Sequence, residues 1–130
     1  MNLKETLLEN NYSIIASNGY YSFDGGIKPI ITKMVESIDY FKDLSVVDKV
    51  VGKASASLLV LSGVKQVYGL VLSKAAKDVL EKHNIPYQFD QLVDYIENQN
   101  KDGMCPMELT VKDIDDPYDA YIALKDKLAL

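Results

Sequence analysis

Three short stretches of the 130-residue chain hold side chains able to do chemistry. Asp48-Lys49-Val50-Val51-Gly52-Lys53 sets a carboxylate and two ammonium groups beside a run of very small residues, Ala54-Ser55-Ala56-Ser57. Cys105-Pro106-Met107-Glu108 sets a thiol and a carboxylate three residues apart. Ser73 follows the apolar run Val67–Leu72. Lysine in a partly buried setting holds an anion, or attacks a carbonyl as an amine nucleophile. Lys53 is read in either way, or as a lysine that keeps its head in water from a helix start. Asp48 is either a helix cap or the group that orients Lys49 and Lys53. Cys105 is a nucleophile beside a helix start or a small buried hydrophobe. Glu108 is a capping partner or an acid in a pocket. Ser73 is a helix N-cap, or sits at the carboxyl edge where open α/β sheets take ligands. His83, at a predicted helix C-terminus, suits a cation that complements the helix dipole. The aspartates at 113, 115, 116 and 119 lack the glycine and closing glutamate of a calcium loop and read as a solvated helix start.

Composition narrows the classes. With 48% hydrophobic and 25% charged residues the chain is an ordinary globular domain, expected to be one unit over 1–130. A net charge of −5 argues against nucleic acid and against anionic membrane surfaces as partners. Every basic residue is lysine, so no arginine fork is present to clamp phosphate. The single cysteine cannot close an internal disulfide, which fits a reducing, cytoplasmic setting. No apolar run reaches the roughly 20 residues of a membrane span. Met1-Asn2-Leu3-Lys4-Glu5 lacks the pattern of a signal peptide.

The elements that must position these groups follow from periodicity. Leu3, Leu7 and Leu8 predict a helix over 2–10. Tyr12–Ser17 and Tyr20–Asp24 flank Asn18-Gly19, the signal for a two-residue hairpin. Gly25-Gly26 reads as a strand-to-helix turn. A helix runs from Pro29 to about Asp39, and Tyr40–Asp43 is a loop. Ser45-Val46-Val47-Asp48 matches a capping box, so a helix starting at Ser45 or a few residues later should continue to Ser62 and stop at Gly63. Its buried stripe would be Val50, Val51, Ala54, Leu58 and Leu61, with Lys49 and Lys53 one turn apart. Its small residues predict a central, sandwiched helix. Gln66–Leu72 is a buried strand, Lys74–His83 a helix capped by Ser73, and Ile85–Phe89 another strand. Leu92–Ile96 reads as a helical turn. Pro106 opens a short helix beside Cys105, and Asp116 caps a last one over Pro117–Leu128. Alternating helices and strands require parallel pairing through right-handed crossovers. The expected fold is therefore α/β, a three-layer α-β-α arrangement whose mixed sheet has an N-terminal antiparallel hairpin and a parallel remainder.

The block Asp48–Ala54, the run Gly63-Val64-Lys65 into Val67-Tyr68, and Gly103-Met104-Cys105-Pro106-Met107-Glu108 together resemble a small uncharacterised prokaryotic family grouped with the cytidine deaminase-like fold. The resemblance covers nearly the whole chain and implies that fold. Zinc deaminases carry a His/Cys-x-Glu motif on one helix and Pro-Cys-x-x-Cys on the next. The corresponding segments here are Gly52-Lys53-Ala54-Ser55-Ala56 and Ser73-Lys74-Ala75-Ala76-Lys77, without a ligand or a general acid. His83 and Cys105 cannot complete a three-ligand site, so no metal or other cofactor is expected. The resulting expectation is a small-molecule binding domain whose anionic or nucleotide-like ligand meets Asp48, Lys49, Lys53, Ser73, Cys105 and Glu108. A metal-independent enzyme with Cys105 or Lys53 as nucleophile, and a homodimeric interaction module, are the alternatives.

Overall fold

Asn2 opens the first helix by accepting the Lys4 amide on its side chain at 2.9 Å. The chain is described by a computed structural model over residues 2–130. Helix α1 (Leu3–Asn10) ends where Asn11 turns left-handed. Strands β1 (Ile14–Ala16) and β2 (Tyr21–Ser22) then form the predicted hairpin. Its turn differs from the two-residue type. The Gly19 amide donates to Ala16 O at 3.0 Å, the Ala16 amide to Tyr20 O at 2.8 Å, and Gly19 has positive φ while Asn18 does not. A three-residue loop with a glycine bulge has this pattern. Asn18 instead accepts the Tyr20 amide on its side chain.

Helix α2 (Lys28–Glu36) follows, with Pro29 in its first turn. The next segment corrects the largest expectation. Ser45–Val51 is a strand, β3, and only Lys53–Ser62 is a helix, α3. β3 pairs antiparallel with β1 and parallel with β4 (Gln66–Ser73). The capping box does not exist: the Ser45 amide donates to Ser17 Oγ across the sheet. Lys49 and Lys53 lie on different elements, and Val50 is 40% exposed. Helix α4 (Lys74–Lys82) carries the chain to β5 (Tyr87–Val93), which pairs parallel with β4. The expected helical turn at Leu92 is absent, because Leu92 and Val93 pair with Leu72 and Ser73. Helices α5 (Pro106–Val111) and α6 (Pro117–Leu128) complete the chain.

The sheet order is β2-β1-β3-β4-β5. Helix α1 covers one face through Leu7, packed with Ile15 and Val47. The larger core lies on the other face, where α2, α3, α4, α5 and α6 meet Ile14, Ala16, Val46 and Val67. α3 is the central helix: Ala54 to Leu59 are all buried, as the small residues predict. Ser62 Oγ accepts the Phe41 amide at 2.8 Å and fixes the loop that buries Phe41. Gly63 closes α3 with positive φ.

Strand alternation breaks near the carboxyl ends of β3 and β4. Val46 and Val51, five residues apart, enter the same core, as do Val67 and Leu72. Both strands change together, so their register survives. Gly69 permits it: a Cβ there would lie 3.0 Å from Val51 Cγ2. The strand ends are thereby aimed toward the helices, and Gly52 carries the chain directly into α3.

Candidate functional site

The parallel strands end on one edge, where β3 passes to α3 and β4 to α4. A cleft of about 260 Å³ opens there and runs along α4, walled by α5 and the loop after β5. Lys53, Ser73 and Glu108 all line it. Ser73 is fully buried, and its hydroxyl accepts the Ala76 amide at 3.0 Å, so it is an N-cap first. Further along are Lys82 and His83 from α4 and Met104 from the loop.

Glu108 is the best-defined group in the cleft. Its two carboxylate oxygens accept the Lys53 and Ala54 amides at 2.7 and 2.8 Å. A side chain of α5 thus caps α3, across 55 residues of sequence. These amides have no partner inside the helix, and a helix start favours negative charge. Burial pushes the Glu108 carboxyl above its ordinary range; the two amides and the Lys53 charge pull it back. Both oxygens face donors, which is the geometry of the ionised form. The seat exists because residue 52 is glycine: a Cβ there would lie 2.3 Å from Glu108 Oε1. Glu108 is thus a capping group, of α3, and its side chain also lines the cleft.

The Lys53 ammonium donates to Lys112 O at 2.9 Å and lies 3.7 Å from Asp115 Oδ1. The Lys53 side chain is 12% exposed and that of Asp115 85% exposed. Such a pair is held loosely on the acidic side and adds little stability. Lys74, at the start of α4, is paired with Asp94 at 2.7 Å near the cleft mouth. Cations and carboxylates alternate along the walls, so no bed of like charge forms.

The remaining expected site residues stand elsewhere. Lys49 points to the α1 side and donates to Asn11 Oδ1 at 2.6 Å. Cys105 is the N-cap residue of α5 without a side-chain capping bond, and it does not line the cleft. Asp48 is neither a helix cap nor a cleft residue. It lies within β3 at 5% exposure, paired in register with Ile14 and Gly69. Oδ1 accepts the Val50 amide at 3.3 Å, and Oδ2 is buried without a partner. Desolvation pushes this carboxyl up to about 8, against the smaller pull of the Val50 and Lys49 amides.

The sequence pattern puts Asp115 in a solvated helix start and gives no sign of Lys112 or Lys82, yet all three line the cleft. Lys112 enters through its backbone carbonyl, which no side-chain pattern can signal. Among the described residues no group of three metal-capable side chains comes together. No described helix is long and apolar enough to cross a membrane.

A second cavity of about 380 Å³ lies at the opposite, amino edge of the parallel strands. Its ionic residue, Lys4, is already closed into a cluster: the ammonium donates to Asp90 at 2.9 Å and Tyr68 at 3.0 Å, and Tyr68 donates to Asp90. The carboxyl edge, where turns lead from strands into helix starts, is the chemically better-equipped one.

No curated protein matches the chain significantly. A solved structure does: the crystal structure of a DUF1893 family protein from Thermotoga maritima superposes with a TM-score of 0.88 at 26% identity, covering 96% of this chain and 86% of that one. The profile of the family described as "Domain of unknown function (DUF1893)" matches residues 2–128. With the fold and nearly the full length in agreement, this chain belongs to the DUF1893 family.

Proposed function

We propose that the protein binds a small ligand bearing an anionic group in the cleft between α4 and α5, with Lys53 as the principal contact. The observation that carries this reading is the state of the Lys53 ammonium. It is largely enclosed at the carboxyl edge of the sheet, anchored by one strong bond to Lys112 O, and turned toward a carboxylate that is mostly in water. An incoming carboxylate or phosphate replaces Asp115 at little cost, because an exposed ion pair is worth about 0–1 kcal/mol. The α3 start is not available to the ligand, since Glu108 already fills it. The anion therefore meets the lysine side chain, and the rest of the ligand lies along α4 toward Lys82 and His83. The cavity suits a metabolite of nucleotide size or smaller.

The cytidine deaminase-like relationship is part of the same proposal. The order hairpin, β3, α3, β4, α4 supports it, with Lys53 and Ser73 at the two helix starts where zinc deaminases hold metal. In place of a metal at the α3 start, this chain has the Glu108 carboxylate as an internal anion.

The test is a thermal-shift and calorimetric screen of inorganic phosphate, sugar phosphates and nucleoside monophosphates. At least one should raise the melting temperature, and Lys53→Ala should weaken its binding about tenfold or more, the scale of one lost charged contact. Asp115→Asn should leave binding intact or tighten it. A screen without a binder, or a binder indifferent to Lys53→Ala, would refute the reading.

A further inference from the structure

Part of the cleft beside Lys53 is apolar on both walls. On α4, Ala75 and Val79 stand one turn apart on the same face. Tyr95 and Met104, from the segment between β5 and α5, line the wall across from them. That segment is drawn against the start of α4, because Asp94, the residue before Tyr95, holds Lys74 at 2.7 Å. Its two ends are also tied together: the Cys105 amide donates to Ile96 O at 2.9 Å, and Glu97 bridges to Met104. The Tyr95 ring is 44% exposed. Eight of the nine tyrosines meet another ring or pair through their hydroxyl. Among the described residues, Tyr95 alone does neither.

We propose that this slot takes one aromatic ring, and that the ligand of the cleft is a single-ring aromatic acid. Its carboxylate meets the Lys53 ammonium, and its ring lies between Val79 and Tyr95 beside the Met104 thioether. The inference rests on the reading of Lys53 as the anion contact and adds what the anion is attached to. Size supports it. At about 260 Å³ the cleft falls below the range that encloses drug-sized ligands, so it suits one ring with its acid group. The wall chemistry supports it too. A tyrosine face rewards a flat π-system with about three- to tenfold in affinity beyond the area buried, and a thioether beside a ring adds a further favourable contact. Asp78 and Asp94 line the same cleft, so the ring itself carries no second negative charge. Tyr95 is then the residue that selects an aromatic acid over a saturated one.

NMR titration of the full chain, with its methionine methyl groups labelled with carbon-13, tests this with two acids of equal charge and similar size. Benzoate should bind about three- to tenfold more tightly than cyclohexanecarboxylate. Apolar area alone gives the reverse order, because the saturated ring is the more hydrophobic. The ring current of benzoate should shift the Met104 methyl resonance and leave that of Met34, buried in the core, in place. Tyr95→Ala should abolish the preference for benzoate, and Tyr95→Phe should keep it, because the ring face and not the hydroxyl makes the contact. Tyr95 lies outside every helix and strand, so both variants should melt as the parent does. Lys53→Ala should weaken both acids alike. Equal affinity for the two acids overturns the aromatic slot, and so does a preference that survives Tyr95→Ala. If Lys53→Ala still weakens both acids in those cases, the anion site stands without the slot. Binding of neither acid also overturns the slot, and Lys53-dependent binding of inorganic phosphate would then leave the anion site in place. Benzoate binding that is indifferent to Lys53→Ala overturns both.

Discussion

Asp48→Asn should make the protein more stable at pH 8 and change little at pH 4. Asp48 ends in a buried carboxyl with one oxygen unpartnered, and its position in β3 gives it no cation. The cost of charging it there is the desolvation that raises it from its ordinary 3.8 to about 8. A folded-state value above the unfolded one means that the folded chain holds a proton the unfolded chain releases. Below about pH 4 both states are protonated, and Asp48 contributes no pH dependence. Between 4 and 8 stability falls as pH rises, and above 8 the loss is complete. The full span corresponds to roughly 6 kcal/mol as an upper limit, less where water or relaxation reaches the site. Asparagine keeps the oxygen that accepts the Val50 amide and removes the charge. Urea unfolding of both proteins at a series of pH values isolates the term as their difference, since the other carboxylates cancel. The difference should grow from near zero at pH 4 to several kcal/mol at pH 8, in favour of the variant. Parallel curves would mean that the Asp48 carboxyl is not deprived of solvent.

The same residue shows what the sequence could and could not disclose. The sequence marks Asp48 as a helix cap or as the partner of Lys49 and Lys53, not as a carboxyl buried within a strand. Its element was misread for a physical reason. Val46, Val47, Val50 and Val51 fall at spacings that suit a helical stripe, and Ser45 to Asp48 imitates a capping box. A strand buried on both faces shows no alternation to contradict this. The twist that brings Val51 round to the core of Val46 removes the remaining trace of period two. The signal that distinguishes the two was present: four β-branched residues within six positions, closed by a glycine, favour a strand. The alternation of strand and helix also demanded a strand between α2 and α3.

Of the candidates, Lys53, Ser73 and Glu108 line one cleft, because each stands at a helix start and helix starts collect at one edge of a parallel sheet. Lys49 was carried in only by the false helix, and it left the site when β3 appeared. That Glu108 would cap α3 rather than its own helix was not legible. The contact joins residues 55 apart in the chain, and local pattern reaches only one or two turns.

That long-range cap leads to the second large effect, at Gly52. The glycine has φ −102°, a conformation open to any residue, so Gly52→Ala carries no backbone strain. The penalty is entirely the collision of the new Cβ with the Glu108 carboxylate, 2.3 Å from Oε1 and 2.5 Å from Cδ. The carboxylate must withdraw, and two amides at the start of α3 lose their acceptor. Hydrogen bonds to a charged group are worth about 1.5–3 kcal/mol each, so the loss of two by Gly52→Ala should cost roughly 3–6 kcal/mol. Glu108→Ala should cost about as much, because it strips the same two amides. The informative measurement is the double variant. With Glu108 truncated there is nothing left for the alanine methyl to strike, and water can reach the amides through the opened cleft. Adding Gly52→Ala to Glu108→Ala should then cost under about 1 kcal/mol, a coupling well above the 0.3–0.5 kcal/mol scatter of independent sites. Additive penalties would show that Gly52 matters for some reason other than the seat of Glu108. A stable Gly52→Ala single variant would show that the carboxylate finds another path to the helix start, and that the cap is softer than its two short bonds imply.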